Sequence, residues 1–423
     1  MNKKRRKRKI KYDRIILLFI ILIIIIGVII YLLPKENKEE IIATKDIKMI
    51  NVVDKNIEEL EEFTNKYSLK LEKKEEYSYD IEKDNIISQD IKEGTTIKRG
   101  DTIKVVVSLG EIPTSIYNEN KVNELGNVPI MMYHGIHNIP SSSTGNTGGN
   151  VDKDGYNRTA EAFRGDLEFY YKNNYRMIRL TDYIDGNINV ELGKSPIILT
   201  FDDGKENNIK VLGEENGELK IDPNSAVGVL EEFKKKYPDF NVTATFFINR
   251  SIFDQEEYNE KILKWLVSHG YDVGNHTMTH PDFTKISTDK SLQEVGGVYK
   301  ILERIIPGKY VNIIAMPFGS PYKMSHPNFK VMLSGNYEGM EYHTKSMLRV
   351  GWEGEVSPFD KEFEPTFLKR IRAYDNNGVD FDIEMNFKIL NNTRYISDGD
   401  KDTVVVLEKD KNKVKTDKRL RTY

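Results

Sequence analysis

Five short apolar segments set the strongest limit on how this chain can fold: VPIMMY (128–133), SPIILTF (195–201), VTATFFI (242–248), YVNIIAM (310–316) and TVVVL (403–407). Each has strand length and no polar alternation, so each predicts a strand covered on both faces. Amphipathic helical stretches lie between several of them, among them TAEAFRGDLEFYYKN (159–173), SAVGVLEEFKKKY (225–237) and DKSLQEVGGVYKILERI (289–305). Strands alternating with helices predict a parallel α/β sheet or barrel over residues 127–408. Within it, SSSTGNTGGN (141–150) reads as a disordered Ser/Gly-rich insertion more readily than as the flank of a groove. The Lys/Arg-rich residues 409–423 read as a solvated basic tail.

The N-terminal end is of another kind. Residues 15–33, IILLFIILIIIIGVIIYLL, are uncharged and apolar on every helical face. At ~1.5 Å per residue they nearly cover the ~30 Å hydrocarbon core of a bilayer. Residues 1–14 carry nine basic side chains and one acid, a cationic flank that stays cytoplasmic. The expectation is a single-pass anchor in the cell membrane, a charged tether over 34–46 and an extracellular remainder. A cleaved signal peptide is the rival, disfavoured by the length of the run and the lack of a nearby small-x-small site. With the basic residues at the two ends, the middle of the chain is acidic, which argues against nucleic acid as a partner. The chain has no cysteine, so disulfides, thiolate metal sites and a cysteine nucleophile are excluded.

Between about Ile47 and Gly110 the pattern is that of a small α+β module. Ile57, Leu60, Phe63 and Tyr67 fall at helical spacing, and DNIISQDI, KEGTTIKRGD and TIKVVVSLG read as strand, turns and strand. With Glu93-Gly94-Thr95, Arg99-Gly100-Asp101 and the closing Val107-Ser108-Leu109-Gly110, this order resembles a PASTA domain, an extracellular module associated with peptidoglycan. The plainer reading is a spacer. Residues 111–126 read as a polar linker.

Three segments carry chemistry. ILTFDDG (198–204) ends an apolar strand in two carboxylates, at the strand end where α/β folds gather catalytic groups. Alone, Asp-Gly is ordinary turn chemistry. GNHTMTHPDF (274–283) puts His276 and His280 four apart, within reach of one ion, and Pro281 favours a loop there over a helix. Two histidines and one carboxylate leave coordination positions open for water and substrate. AMPFGSP (315–321) ends another apolar segment in a rigid turn.

In this order the three segments resemble the signature of the polysaccharide deacetylases, the NodB-homology or carbohydrate esterase family four enzymes. The resemblance covers roughly residues 127–408. It implies a distorted (β/α) barrel and hydrolysis of a sugar N-acetyl group, with Asp202 as general base. Asp203, His276 and His280 would hold a divalent metal: zinc, cobalt, nickel, iron or manganese. The backbone at Phe318 and Gly319 would bind the oxyanion. Chemistry agrees, since an amide is a poor electrophile and needs polarisation, an activated water and an acid for the leaving amine. Two departures stand out. Ala315 occupies the place of the family's base-pairing Arg, with no substitute evident, and no histidine follows His343 to act as acid. His134, ending the first strand of the domain, is the candidate replacement acid; a hydrogen-bonded strand-end histidine is the plain alternative. Trp352 reads as core rather than as a wall against the acetyl methyl.

These readings converge on a membrane-anchored deacetylase of cell-wall polysaccharide, peptidoglycan favoured. The alternatives are a deacetylase-like wall-binding or sensing protein that has lost its chemistry, and a deacetylase of exopolysaccharide or xylan.

Overall fold

The computed structural model describes residues 46–423, with residues 23–26 and 28. Those five N-terminal residues are helical; the rest of the expected anchor at 15–33, segment 1–14 and the tether up to residue 45 lie outside the described residues. Among the described residues no helix is long and apolar enough to cross a membrane. The chain divides into two compact units after Pro113.

In the first unit, the helix Ile57–Tyr67 starts where Asn56 accepts the Glu58 N–H and ends at Ser68 in a left-handed cap. It buries Leu60, with Ile57, Phe63 and Tyr67 partly covered, against a core that includes Val52, Ile86, Ile103 and Val105. The central strand Thr102–Ser108 pairs antiparallel with Ile86–Gln89 and parallel with Lys70–Glu76. The last of these is invisible to hydrophobic patterning: KLEKKEE is an edge strand with mostly exposed side chains, held by its backbone ladder.

The second unit is built on a parallel sheet. Its strands run, side by side, Ser346–Leu348, Ile313–Ala315, Asp272–Asn275, Thr245–Ile248, Ser195–Phe201, Ile130–Tyr133 and Ile371–Arg372, with Tyr175–Met177 beside the start of Ser195–Phe201. The sheet curls, and residues 366–372 bridge its two edges. The Leu368 N–H donates to Met347 O at 2.9 Å and the Arg349 N–H to Leu368 O at 2.8 Å, while Ile371 and Arg372 pair with Met131 and Met132. Helices Ala160–Lys172 and Ala226–Lys236 bury Phe163, Leu167, Leu230 and Phe233 in the same core as Leu199, Phe201 and Phe246. Ile198, Ala315, Leu348 and Leu368 belong to a separate cluster. Side chains alternate along a strand, so Asp202 follows Ile198 and Thr200 onto their face.

Four expectations need correction. TVVVL does form a strand, Thr403–Val406, but outside this sheet, because residues 371–372 already occupy the edge beside Ile130–Tyr133. It pairs instead with Arg419–Thr422, so residues 409–423 are a folded element whose backbone donors and acceptors complete a ladder, not a solvated tail. Residues 111–126 are not a free linker: Tyr117 and Val122 are buried, and the buried Glu124 carboxylate accepts from Tyr395 Oη at 2.7 Å and the Val405 N–H at 2.7 Å. The loop 141–150 is ordered. Its buried Asn150 donates to Asp375 O at 2.7 Å and accepts from Arg158 Nη1 at 3.0 Å, and Arg158 in turn pairs with Asp166 at 2.6 Å.

Asp272, at the start of its strand, gives this unit a pH signature. Burial raises its pKa to about 6, against the opposing pull of Arg179 at 3.0 Å, and its Oδ2 has no partner among the described residues. The folded state therefore binds the proton more tightly than the unfolded chain, whose Asp titrates near 4. Stability should fall as pH rises from about 4 to about 6, by about 2–3 kcal/mol, and stay level above that for this group. Denaturant midpoints across pH 4–7 should show Asp272→Asn flattening that slope. An unchanged slope in the variant would refute the assignment.

Candidate active site

The strand Ser195–Phe201 is wholly buried, and the chain turns as it leaves it: Asp202 remains buried, while Asp203 takes a positive φ of 72°. A short polar side chain tolerates that conformation best. Asn249, just past the neighbouring strand, donates from Nδ2 to Asp203 O at 2.9 Å and fixes the turn.

His276 and His280 lie on the loop after Asp272–Asn275, and His280 has φ 57°, consistent with the loop that Pro281 favours. The loop is braced at both ends. Asn275 Oδ1 accepts the Thr277 N–H at 2.8 Å, and buried Glu294, on the helix Thr288–Ile305, accepts the Thr279 N–H and hydroxyl at 2.7 Å each.

The result is one cluster. His276 Nε2 is 3.1 Å and His280 Nε2 3.7 Å from Asp203 Oδ1, and one ligand atom from each of the three residues lies within 4.8 Å of the others. His276 Nδ1 stands 2.8 Å from Ala315 O, a contact in which the ring must be the donor. In the neutral ring, Nε2 then presents a lone pair to a carboxylate lone pair. Two acceptors face each other at 3.1 Å only if a proton or a cation lies between them. The donor set fits one divalent ion. Burial disfavours a charged His276, but the Asp202 and Asp203 carboxylates outweigh it and raise its pKa. Burial likewise opposes the Asp203 charge, and the neighbouring imidazoles hold its pKa well below the carboxylate range.

The expected gap at Ala315 is filled from an unexpected place. Arg370, fully buried, grips Asp202 with both arms: Nη1 to Oδ1 at 2.8 Å and Nη2 to Oδ2 at 2.7 Å. Nη1 also reaches Thr200 Oγ1 at 3.2 Å, and Nε donates to Arg349 O at 2.8 Å. The segment that bridges the sheet edges thus delivers the guanidinium. Gly351 permits this approach, since a Cβ there would lie 2.1 Å from Arg370 O. Burial works against a charged Asp202, but Arg370, with His276, lowers its pKa overall. Ala315 acts through its carbonyl, by orienting His276.

A cavity of about 290 Å³ joins Asp202, Asp203, His276 and His280 with His134 and Phe318, walled by Tyr156 and Val350. His134 ends its strand inside this cavity; its ring packs edge-on against Tyr156 at 5.0 Å, and its buried Nδ1 has no partner among the described residues. Burial lowers its pKa despite the two nearby carboxylates, so the resting ring is neutral. Phe318 stands at φ 56°, its ring 4.7 Å from that of His280. The Gly319 N–H, one of the two backbone groups expected at an oxyanion, is engaged with Met316 O at 2.9 Å. Trp352 is a correction: it is 64% exposed rather than core, and it lines a second cavity that shares the Tyr156 and Val350 walls. Its backbone bridges to the buried Ile371, yet its ring lies in the open.

Comparison with known proteins bears on this geometry. Residues 189–329 match the model of the polysaccharide deacetylase family, and residues 47–109 that of the PASTA domain. A peptidoglycan-N-acetylglucosamine deacetylase of Bacillus cereus is 29% identical over 126 residues, 30% of this chain and 37% of that protein. The peptidoglycan-N-acetylmuramic acid deacetylase PdaC of Bacillus subtilis is 27% identical over 130 residues, 31% of this chain and 23% of that protein. This chain therefore spans well under half the length of either relative. Among solved structures, the Streptococcus pyogenes deacetylase PplD in complex with acetate is 18% identical, with a TM-score of 0.43, covering 59% of this chain and 93% of that one.

Proposed function

We propose, for a chain that carries a polysaccharide deacetylase domain preceded by a PASTA domain, that it hydrolyses N-acetyl groups on cell-wall polysaccharide, most favourably the hexosamines of peptidoglycan. The observation that carries the reading is the union in one cavity of a three-residue ligand set with a buried carboxylate locked by an arginine. The PASTA domain and the named substrates of the two Bacillus relatives support peptidoglycan as the polymer. The apolar run 15–33 with its basic flank supports anchorage in the cell membrane with both units outside.

Asp203, His276 and His280 would hold a divalent ion, which when bound would supply the Lewis acidity that polarises an amide carbonyl and acidifies water. Asp202 accepts the proton of the attacking water. Its ionised form is secured by Arg370, which also fixes the direction of its oxygens. Phe318, which lines the cavity, would offer its backbone to the developing oxyanion. His134 passes a proton to the leaving amine, and because its resting ring is neutral it must gain that proton within the cycle. The loss of the family's Arg at position 315, which favoured a non-catalytic binding protein, is offset by Arg370.

Acetate release from N-acetylglucosamine oligomers and purified peptidoglycan, with Zn²⁺ or Co²⁺ added, tests this. Asp202→Asn should lower kcat by about 10²–10⁴-fold, the usual share of a general base, with metal stoichiometry unchanged. His134→Ala should lose turnover while still binding metal; near-normal turnover would remove it from the acid role. No release from any polymer by the metal-loaded wild type would refute the enzyme.

A further inference from the structure

Beside the catalytic cavity lies a second one of about 340 Å³, a size typical of small-molecule sites. The two share Tyr156 and Val350 as walls and so adjoin one another. Its lining is unusual for a surface hollow. Trp352 is 64% exposed and Phe381 38% exposed, and their rings meet edge-on at 6.3 Å. Exposed large aromatic faces of this kind mark binding surfaces, and the apolar face of a pyranose ring fits one.

Arg372 decides what kind of sugar. Its guanidinium carbon lies 3.9 Å from the Tyr374 ring centre and 5.2 Å from that of Tyr156, so two rings hold it in place. Among the described residues no carboxylate lies within 4.0 Å of its nitrogens. Asp380 lines the same cavity, but its Oδ2 accepts from Asn376 Nδ2 at 2.9 Å. A pre-oriented guanidinium without an acid partner, half-buried at the edge of a cleft, is a ready receptor for a carboxylate.

Resting on the deacetylase reading for the identity of the neighbouring site, we propose that this cavity is an acidic-sugar subsite. In it Trp352 stacks the sugar next to the one deacetylated, and Arg372 pairs with a carboxylate on that sugar. The carboxylate is the 3-O-lactyl group of a muramic acid residue or that of a hexuronate.

Calorimetric titration of the metal-loaded full chain, with acetate release followed in parallel, tests this. The probes are chitotetraose, an N-acetylglucosamine–N-acetylmuramic acid tetrasaccharide with free lactyl carboxylates, the same glycan with those carboxylates capped as methyl amides, and a hyaluronan tetrasaccharide. The wild type should bind at least one free-acid glycan about 10-fold or more tightly than the neutral probes, in line with a charge-assisted bidentate pair. The acid preferred identifies the source. Arg372→Met should bring that ratio near one, and Arg372→Lys should retain part of it. Trp352→Ala should weaken all probes while keeping the ratio. A wild type with no preference for either acid, or an Arg372→Met variant that keeps the preference, overturns the proposal. Acid-selective binding without acetate release would uphold the subsite and overturn the deacetylase; acetate release without acid selectivity would do the reverse.

Discussion

Replacing Arg370 by methionine is expected to cost this protein both its activity and a large part of its stability. The guanidinium and the Asp202 carboxylate are buried together, with side-chain exposures of 0% and 2%. Removing one member leaves an uncompensated charge in a dry interior, which typically costs about 3–5 kcal/mol. The neutral pair Asp202→Asn/Arg370→Met should be much less damaged than Arg370→Met alone, because no charge is then left unpaired. Turnover should be lost in both. Denaturant unfolding of the two single variants and the double variant checks the coupling. If the double variant is destabilised by the sum of the two single changes, the pair is not the unit described here. Arg370→Lys is informative beside them, since a lysine keeps the charge but not the fork that meets both carboxylate oxygens.

Replacing Asp203 by alanine is expected to abolish metal binding, and activity with it. Its Oδ1 is the atom that both imidazoles approach, at 3.1 and 3.7 Å, and it supplies the negative charge of the set. The loss of affinity should far exceed the ~10–100-fold that follows disturbance of a ligand's outer partner. Equilibrium dialysis against Zn²⁺ measures it. The comparison variant is His276→Gln, which keeps a side chain able to donate to the Ala315 carbonyl but removes the imidazole. Retention of tight binding by Asp203→Ala would mean that the ion uses other ligands. The opposite pairing of results, metal bound normally but activity gone, would separate Asp203's role from coordination.

Much of the molecule was legible because its signals are local. The helices around 57–67, 160–172, 226–236 and 288–305 follow from apolar spacing, and the strand Ser195–Phe201 from a run that no half-exposed strand could afford. Asp202, Asp203, His276 and His280 sit where strands end, and strand ends at one edge of a parallel sheet converge whatever the loops between them do. His134 could be singled out for the same reason. Less legible were the segments whose order comes from hydrogen bonds rather than patterning. The strand Lys70–Glu76 shows charge on nearly every side chain, the loop 141–150 is held through Asn150, and Arg419–Thr422 is ordered by a partner strand.

Trp352 and Arg370 mark the limit of sequence reading. Composition says that a tryptophan is more often covered than not, and only the folded structure reveals that this one faces outward. Arg370 is separated from Asp202 by 168 positions and lies in a stretch without a motif. The sequence by itself determined the elements, the strand-end chemistry and the absence of an arginine at position 315, all of which are properties of residues near one another in the chain. Which arginine would neutralise Asp202 was decided only when residues 366–372 bridged the two edges of the curled sheet, because a buried charge is satisfied by whatever partner the tertiary path brings within 3 Å, and that path is set by pairings far apart in sequence.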